Sequence, residues 1–188
     1  KEMNPSNKKA LQEKLRESIA PGAIDVNIMT KVDRTRFDKD GQQLPIGTSD
    51  ALTAFQGFAQ SDLNSSIVLS AGFNMRLYSY INNFKDFLPD ENGQLKKRVI
   101  LKVSDYRSAL IQGKFLAKNG IWVSEFRIES GLNCGGHAFI SPNGLLGPIL
   151  EEFKNKKEAM AEQLLKLCNN ALKKNNTNLL TEGSIPLI

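Results

Sequence analysis

The chain has 188 residues, 40% hydrophobic and 24% charged, the balance of a soluble globular domain able to bury one sizeable core. Its longest apolar runs, such as Ile67-Val68-Leu69, are far too short for a membrane-crossing helix. Two cysteines and one histidine can neither staple a small fold nor fill a structural zinc site, so no metal is expected. The net charge of +5 comes from lysines interleaved with acids, as in Glu151-Glu152-Phe153-Lys154-Asn155-Lys156-Lys157-Glu158. That pattern reads as a solvated helix face and not as a track for nucleic-acid phosphates.

In chain order, Asn7 to Ile19 predicts a helix, with Leu11, Leu15 and Ile19 four apart and Pro21-Gly22 stopping it. Ile24 to Met29 carries the β-branched residues of a strand, and Lys31 to Gly47 is a polar loop, long for a compact domain. Ser49-Asp50 caps a helix from Ala51 to Gln60 with Leu52, Phe55 and Phe58 inward, and Ser65 to Ala71 is a buried strand ending at Gly72. Met75 to Phe87 has Leu77, Tyr80, Ile81 and Phe84 on one helical face, before the turn residues Pro89 to Gly93. Arg98 to Val103 is a third strand. Ser104 then caps a helix with Tyr106, Ala109, Leu110, Gly113 and Leu116-Ala117 inward, closed by Gly120. Ile121 to Ile128 is the fourth strand, and Gly147-Pro148 opens a long helix with Ile149, Phe153, Met160, Leu164, Leu167 and Cys168 inward.

Strand-helix units in this order predict one α/β domain over 1–188: parallel strand-helix repeats, about four to five β/α units. Ligands in such folds sit beyond the carboxyl ends of the strands. Those ends carry Thr30 to Asp33, Gly72 to Asn74, Lys102 to Asp105 and the loop Ser130 to His137. There is no glycine-rich dinucleotide fingerprint after the first strand and no phosphate loop ending in Gly-Lys-Ser/Thr. The loop after the fourth strand is the richest in chemistry. Gly135-Gly136 can bring bare backbone close to a ligand, and His137, the single histidine, can move protons near neutral pH.

The run from Arg98 to His137, ending Ser130-Gly131-Leu132-Asn133-Cys134-Gly135-Gly136-His137, resembles the nitronate monooxygenase family, whose barrels carry a Gln-Gly strand end followed by Glu-Ala-Gly-Gly-His. Ile24-Asp25-Val26-Asn27 is similar to the family's Phe-Gly-Val-Asn strand, and Ser70-Ala71-Gly72 to its serine-containing strand end. Ser130 and Asn133 stand where the family has glutamine and glutamate. The resemblance implies a partial (β/α)8 TIM barrel, the central units of a larger flavin barrel completed by further chain or by another chain, which includes a homo-oligomer. It implies an FMN-dependent oxidoreductase that oxidises nitronates or similar small anionic substrates with oxygen, and Lys1-Glu2-Met3-Asn4-Pro5, without the apolar stretch of a secretory signal, favours a cytoplasmic location. His137 would be the catalytic base. FMN would be contacted by Asn27, Ser70, Gly72, Lys102, Ser130, Gly131, Gly135 and Gly136, with Lys102 or Lys31 stabilising negative charge on the ring. Two alternatives share these residues: an FMN- and NADH-dependent enoyl-thioester reductase of the same superfamily, and a non-catalytic module that pairs with another chain through its sheet edges.

Overall fold

β-Branched runs become strands and amphipathic runs become helices, in alternating order. The structure is a computed structural model, and it describes residues 4–19, 24–28, 34–45, 48–70, 72–129, 146–181 and 186–188. Helix α1 covers Pro5–Glu17, strand β1 Asp25–Ile28, α2 Asp50–Ala59, β2 Ser65–Leu69, α3 Met75–Tyr80, β3 Lys97–Val103, α4 Tyr106–Lys118, β4 Val123–Ile128 and α5 Leu146–Lys174. Among the described residues these strands form one all-parallel sheet in the order β1-β2-β3-β4. Close to the carboxyl end of the chain, Leu187 forms a parallel bridge with Glu125 of β4. The Phe126 N–H donates to the Leu187 carbonyl at 2.8 Å, and the Leu187 N–H donates to Ser124 at 3.0 Å. The pairing therefore continues beyond β4 through Leu187.

Strand register divides the sheet into two faces of different chemistry. Ile28, Ile67, Leu69, Val99, Leu101 and Phe126 lie on one face and join Leu52 and Phe55 of α2, Leu116 of α4 and Leu164 of α5 in a single core. The centre of that core is aromatic. Phe55 stacks on Phe87 at 5.3 Å between ring centroids and meets Phe84 and Tyr80 edge-on at 5.5 and 6.1 Å. Gly113 lets α4 approach α5 and the sheet, since a Cβ there would stand 3.0 Å from Leu164 Cδ1 and 3.2 Å from Phe126 Cζ.

The opposite face carries Asp25, Asn27, Ser66, Arg98, Lys102, Glu125 and Arg127, with Val68 and Ile100 buried between them. Arg127 of β4 donates to Asp25 of β1 at 2.6 Å across this face. In a flat sheet these strands would be three spacings apart, about 14 Å. Arg127 is in register with Lys102, four residues beyond Arg98, the position that aligns with Asp25 through Ser66. An arginine and an aspartate cannot span that diagonal unless the sheet coils, so the polar face is concave.

Several local expectations are corrected by packing. The helix read over Met75 to Phe87 stops at Tyr80 and continues as two 3-10 turns, Ile81–Asn83 and Lys85–Phe87. The extended backbone of Phe84 breaks the helical path and turns its ring and that of Phe87 onto Phe55. The cap of α4 is Asp105, whose carboxylate accepts from the Ser108 N–H at 2.7 Å, while Ser104 donates to Asp105. The long loop after β1 contains a small hairpin in which Phe37 bridges Gln43, and an Arg36–Asp50 ion pair ties it to the start of α2. Leu11 and Leu15 of α1, and Ile19 just beyond its end at Glu17, are exposed. No described helix is long and apolar enough to cross a membrane.

Candidate functional site

Two residues that the family resemblance assigns to a ligand meet at the carboxyl ends of adjacent strands. Asn27 lies one residue before the end of β1, and Ser70 directly follows β2. The Ser70 hydroxyl donates to Asn27 Oδ1 at 2.8 Å, with the Ile28 carbonyl 3.4 Å away. Because the amide oxygen of Asn27 is the acceptor, its NH2 group takes no part in this contact, and among the described residues the exposed NH2 has no partner. Gly72, two residues beyond Ser70, has φ +80°, and a Cβ added to it would meet no atom of the described residues within 4 Å. Only glycine takes that conformation without strain, and here it leaves open space over bare backbone beside the Asn27–Ser70 pair.

Lys102 is brought to the same concave face, one residue before the end of β3. Its ammonium is engaged by the Glu129 carboxylate just beyond β4. That partner neutralises the charge, so Lys102 presents an ion pair to the cup and not a free cation. Beside it in register on β4, Arg127 is held between Glu125 and Asp25, and these two carboxylates keep its guanidinium even more firmly protonated than an ordinary arginine. Among the described residues the cup thus has paired charges and a rim with an amide that no described group engages, a hydroxyl and the backbone of Gly72. Ser130, Gly131, Gly135, Gly136 and His137, together with Lys31, lie outside the described residues.

A cleft of about 380 Å³ opens at the other end of the strands, lined by Lys85, Asp86, Asp90 and Lys96 among others. Its charged groups largely satisfy one another: Lys96 pairs with Asp86 at 2.9 Å, and Asp90 accepts from the backbone of Asn92 and Gln94 at 2.8 Å each. It offers a ligand less than the rim does.

Lys97 is the buried charge that sequence reading misses. It opens β3 with no exposed surface, and its ammonium donates to the carbonyls of Ser61 and Leu63 at 2.7 and 3.0 Å and to the Ser61 hydroxyl at 3.2 Å. The same nitrogen lies 4.7 Å from the centre of the Phe58 ring, and burial pulls its pKa below the usual lysine value. Its work is structural, satisfying the carbonyls that follow α2. Lys97→Met should therefore cost about 2–3 kcal/mol by orphaning those acceptors. Urea unfolding of the two proteins measures it, and a loss under about 0.5 kcal/mol would show the cap to be dispensable.

Compared with known proteins, the chain matches no family model, no curated protein and no solved structure. What defines it is its own geometry: an α/β protein with a sequentially ordered, coiled parallel sheet and a polar rim at the strand carboxyl ends.

Proposed function

We propose that the chain is a flavin-binding β/α-barrel protein, an FMN-dependent oxidoreductase of nitronate monooxygenase type acting on small anionic substrates. The observation that carries this reading is the Asn27–Ser70 pair at neighbouring strand ends, beside the open backbone of Gly72. In barrels of alternating strands and helices that end of the sheet is where ligands bind. Three further features support a barrel: the sequential strand order, the parallel pairing of Leu187 with β4, and the Asp25–Arg127 ion pair across a concave face. The four strands correspond to half of such a barrel.

The rim fits a planar heteroaromatic ring with hydrogen-bond acceptors at its edge. The Asn27 amide can donate to such an acceptor, and Gly72 admits the ring close to the backbone. FMN, when bound, supplies the electron transfer. The protein then binds the ring, orients the substrate and moves a proton. In this reading the backbone at Ser130, Gly131, Gly135 and Gly136 closes the ring site, and the His137 imidazole takes the substrate's proton, as the family resemblance implies. Lys102 contributes through its ion pair with Glu129 and not as a lone positive charge beside the ring.

Titration with FMN tests the reading. The expected result is a perturbed visible flavin spectrum on binding, and an affinity about tenfold weaker in the Asn27→Ala, Ser70→Ala double variant, which loses both polar contacts. FMN that stays free in the presence of excess wild-type protein would overturn it.

A further inference from the structure

The interior holds a chain of polar groups that the strand-end site does not use directly. Tyr78 on α3 and Gln112 on α4 are 1% and 4% exposed, and the Tyr78 hydroxyl donates to Gln112 Oε1 at 2.5 Å. The Gln112 amide in turn donates to the Ser108 hydroxyl at 2.8 Å, and the Ser108 N–H donates to the capping carboxylate of Asp105 at 2.7 Å. At the other end, the carbonyl of Gly72 lies 3.4 Å from the Tyr78 oxygen, and the Phe73 ring packs edge-on against Tyr78 at 5.4 Å and against Phe115 of α4 at 5.1 Å. The chain therefore runs from the turn after β2 to the turn after β3, the two segments that flank Ser70 and Lys102.

Burying a phenol and a carboxamide among apolar side chains is costly unless their hydrogen bonds are made. Two apolar residues of similar size would fill the same space without that requirement, so the pair is suited to fixing geometry. In the observed arrangement Tyr78, Gln112, Ser108 and Asp105 are joined by successive hydrogen bonds, which link the Gly72 turn to the first turn of α4.

We propose that Tyr78 and Gln112 are positioning residues which couple the Gly72 turn to the Asp105-capped start of α4 and thereby hold the rim of the strand-end site in its binding geometry. The coupling is a property of the fold. Its consequence for a ligand rests on the flavin reading above.

Amide hydrogen exchange and FMN titration on wild type, Tyr78→Phe and Gln112→Met separate the two. Removing the phenol oxygen alone should accelerate exchange about 5- to 10-fold both at residues 72–74 and at residues 104–108, as the loss of one buried hydrogen bond implies. FMN affinity should fall by a similar factor. Gln112→Met should reproduce both effects, and the double variant should add little to either single change. Wild-type exchange at the 104–108 turn in both single variants overturns the coupling. Faster exchange at both turns with unchanged FMN affinity overturns the positioning role. If wild type does not bind FMN but exchange at both turns accelerates, the flavin reading fails and the coupling stands.

Discussion

Phe55→Ala is expected to destabilise the protein by about 3–5 kcal/mol, the range for removing a large aromatic ring from a packed core. Phe55 is fully buried and makes three ring contacts, with Phe87, Phe84 and Tyr80. These rings come from α2, from α3 and from the 3-10 turns after it, so the loss falls where three separate segments are joined. The surroundings can collapse only partly, because Phe87 is itself pinned against Phe58 at 6.2 Å. A domain of this kind has roughly 5–15 kcal/mol of total stability, so the variant should sit near the edge of folding. Phe55→Leu retains much of the volume and should cost nearer 1–1.5 kcal/mol. Urea unfolding distinguishes these outcomes through a shifted midpoint at constant slope. A loss below about 1 kcal/mol for the alanine variant would mean that the aromatic cluster is not the centre of the core.

Alkaline pH should expose a second large effect, centred on Cys168. Its thiol is fully buried on α5, and burial pushes its pKa from 9.0 up to about 12. Below pH 9 the thiol is protonated in both the folded and unfolded chain, and its contribution to stability is fully present. Between pH 9 and 12 the unfolded chain loses the proton while the folded chain keeps it, so folded stability falls as pH rises. The slope is about 1.4 kcal/mol per pH unit, or roughly 4 kcal/mol over the window. Tyr78 acts in the same direction at higher pH, since burial also raises its pKa, whereas Lys97, whose pKa burial lowers, acts in the opposite direction. Comparison with Cys168→Ala cancels both. The alanine variant should lack the Cys168 slope, and the difference in unfolding free energy between the two proteins, measured under reducing conditions, should shrink or invert above pH 9. Parallel pH profiles would show that the thiol ionises freely in the folded state.

Much of the architecture is legible locally. Val99-Ile100-Leu101 and Ile67-Val68-Leu69 are strands because β-branched and leucine side chains suit a buried pleated surface, and α5 is a helix because Ile149, Phe153, Met160, Leu164 and Cys168 recur at helical spacing. The breakers Gly120 and Pro89 to Gly93 separate these elements where expected. Helix α4 shows where periodicity fails. Its inward face contains Gln112, which spacing alone cannot distinguish from a solvent-facing position, because its burial depends on the Tyr78 hydroxyl of another helix. The helix predicted to reach Phe87 stops early for a related reason: Phe84 and Phe87 gain more from packing on Phe55 than from another helical turn.

At the candidate site the division follows the same line. Gly72 and Lys102 are visible at strand ends from strand and turn signals, because such signals act within a few neighbouring residues, whereas Asn27 and Ser70 are singled out only by the family resemblance. That Asn27 bonds Ser70, 43 positions away, that Lys102 is neutralised by Glu129, and that Asp25 reaches Arg127 across 102 positions are decided by strand register and by the coil of the sheet. Sequence therefore determined the alternating α/β order and the polar character of the strand ends, since both arise from local periodicity and turn chemistry. Tertiary structure alone decided which charges are paired, which side chain the Asn27 amide oxygen engages, and that Lys97 is buried as a cap. Those outcomes depend on distances between segments that no local pattern encodes.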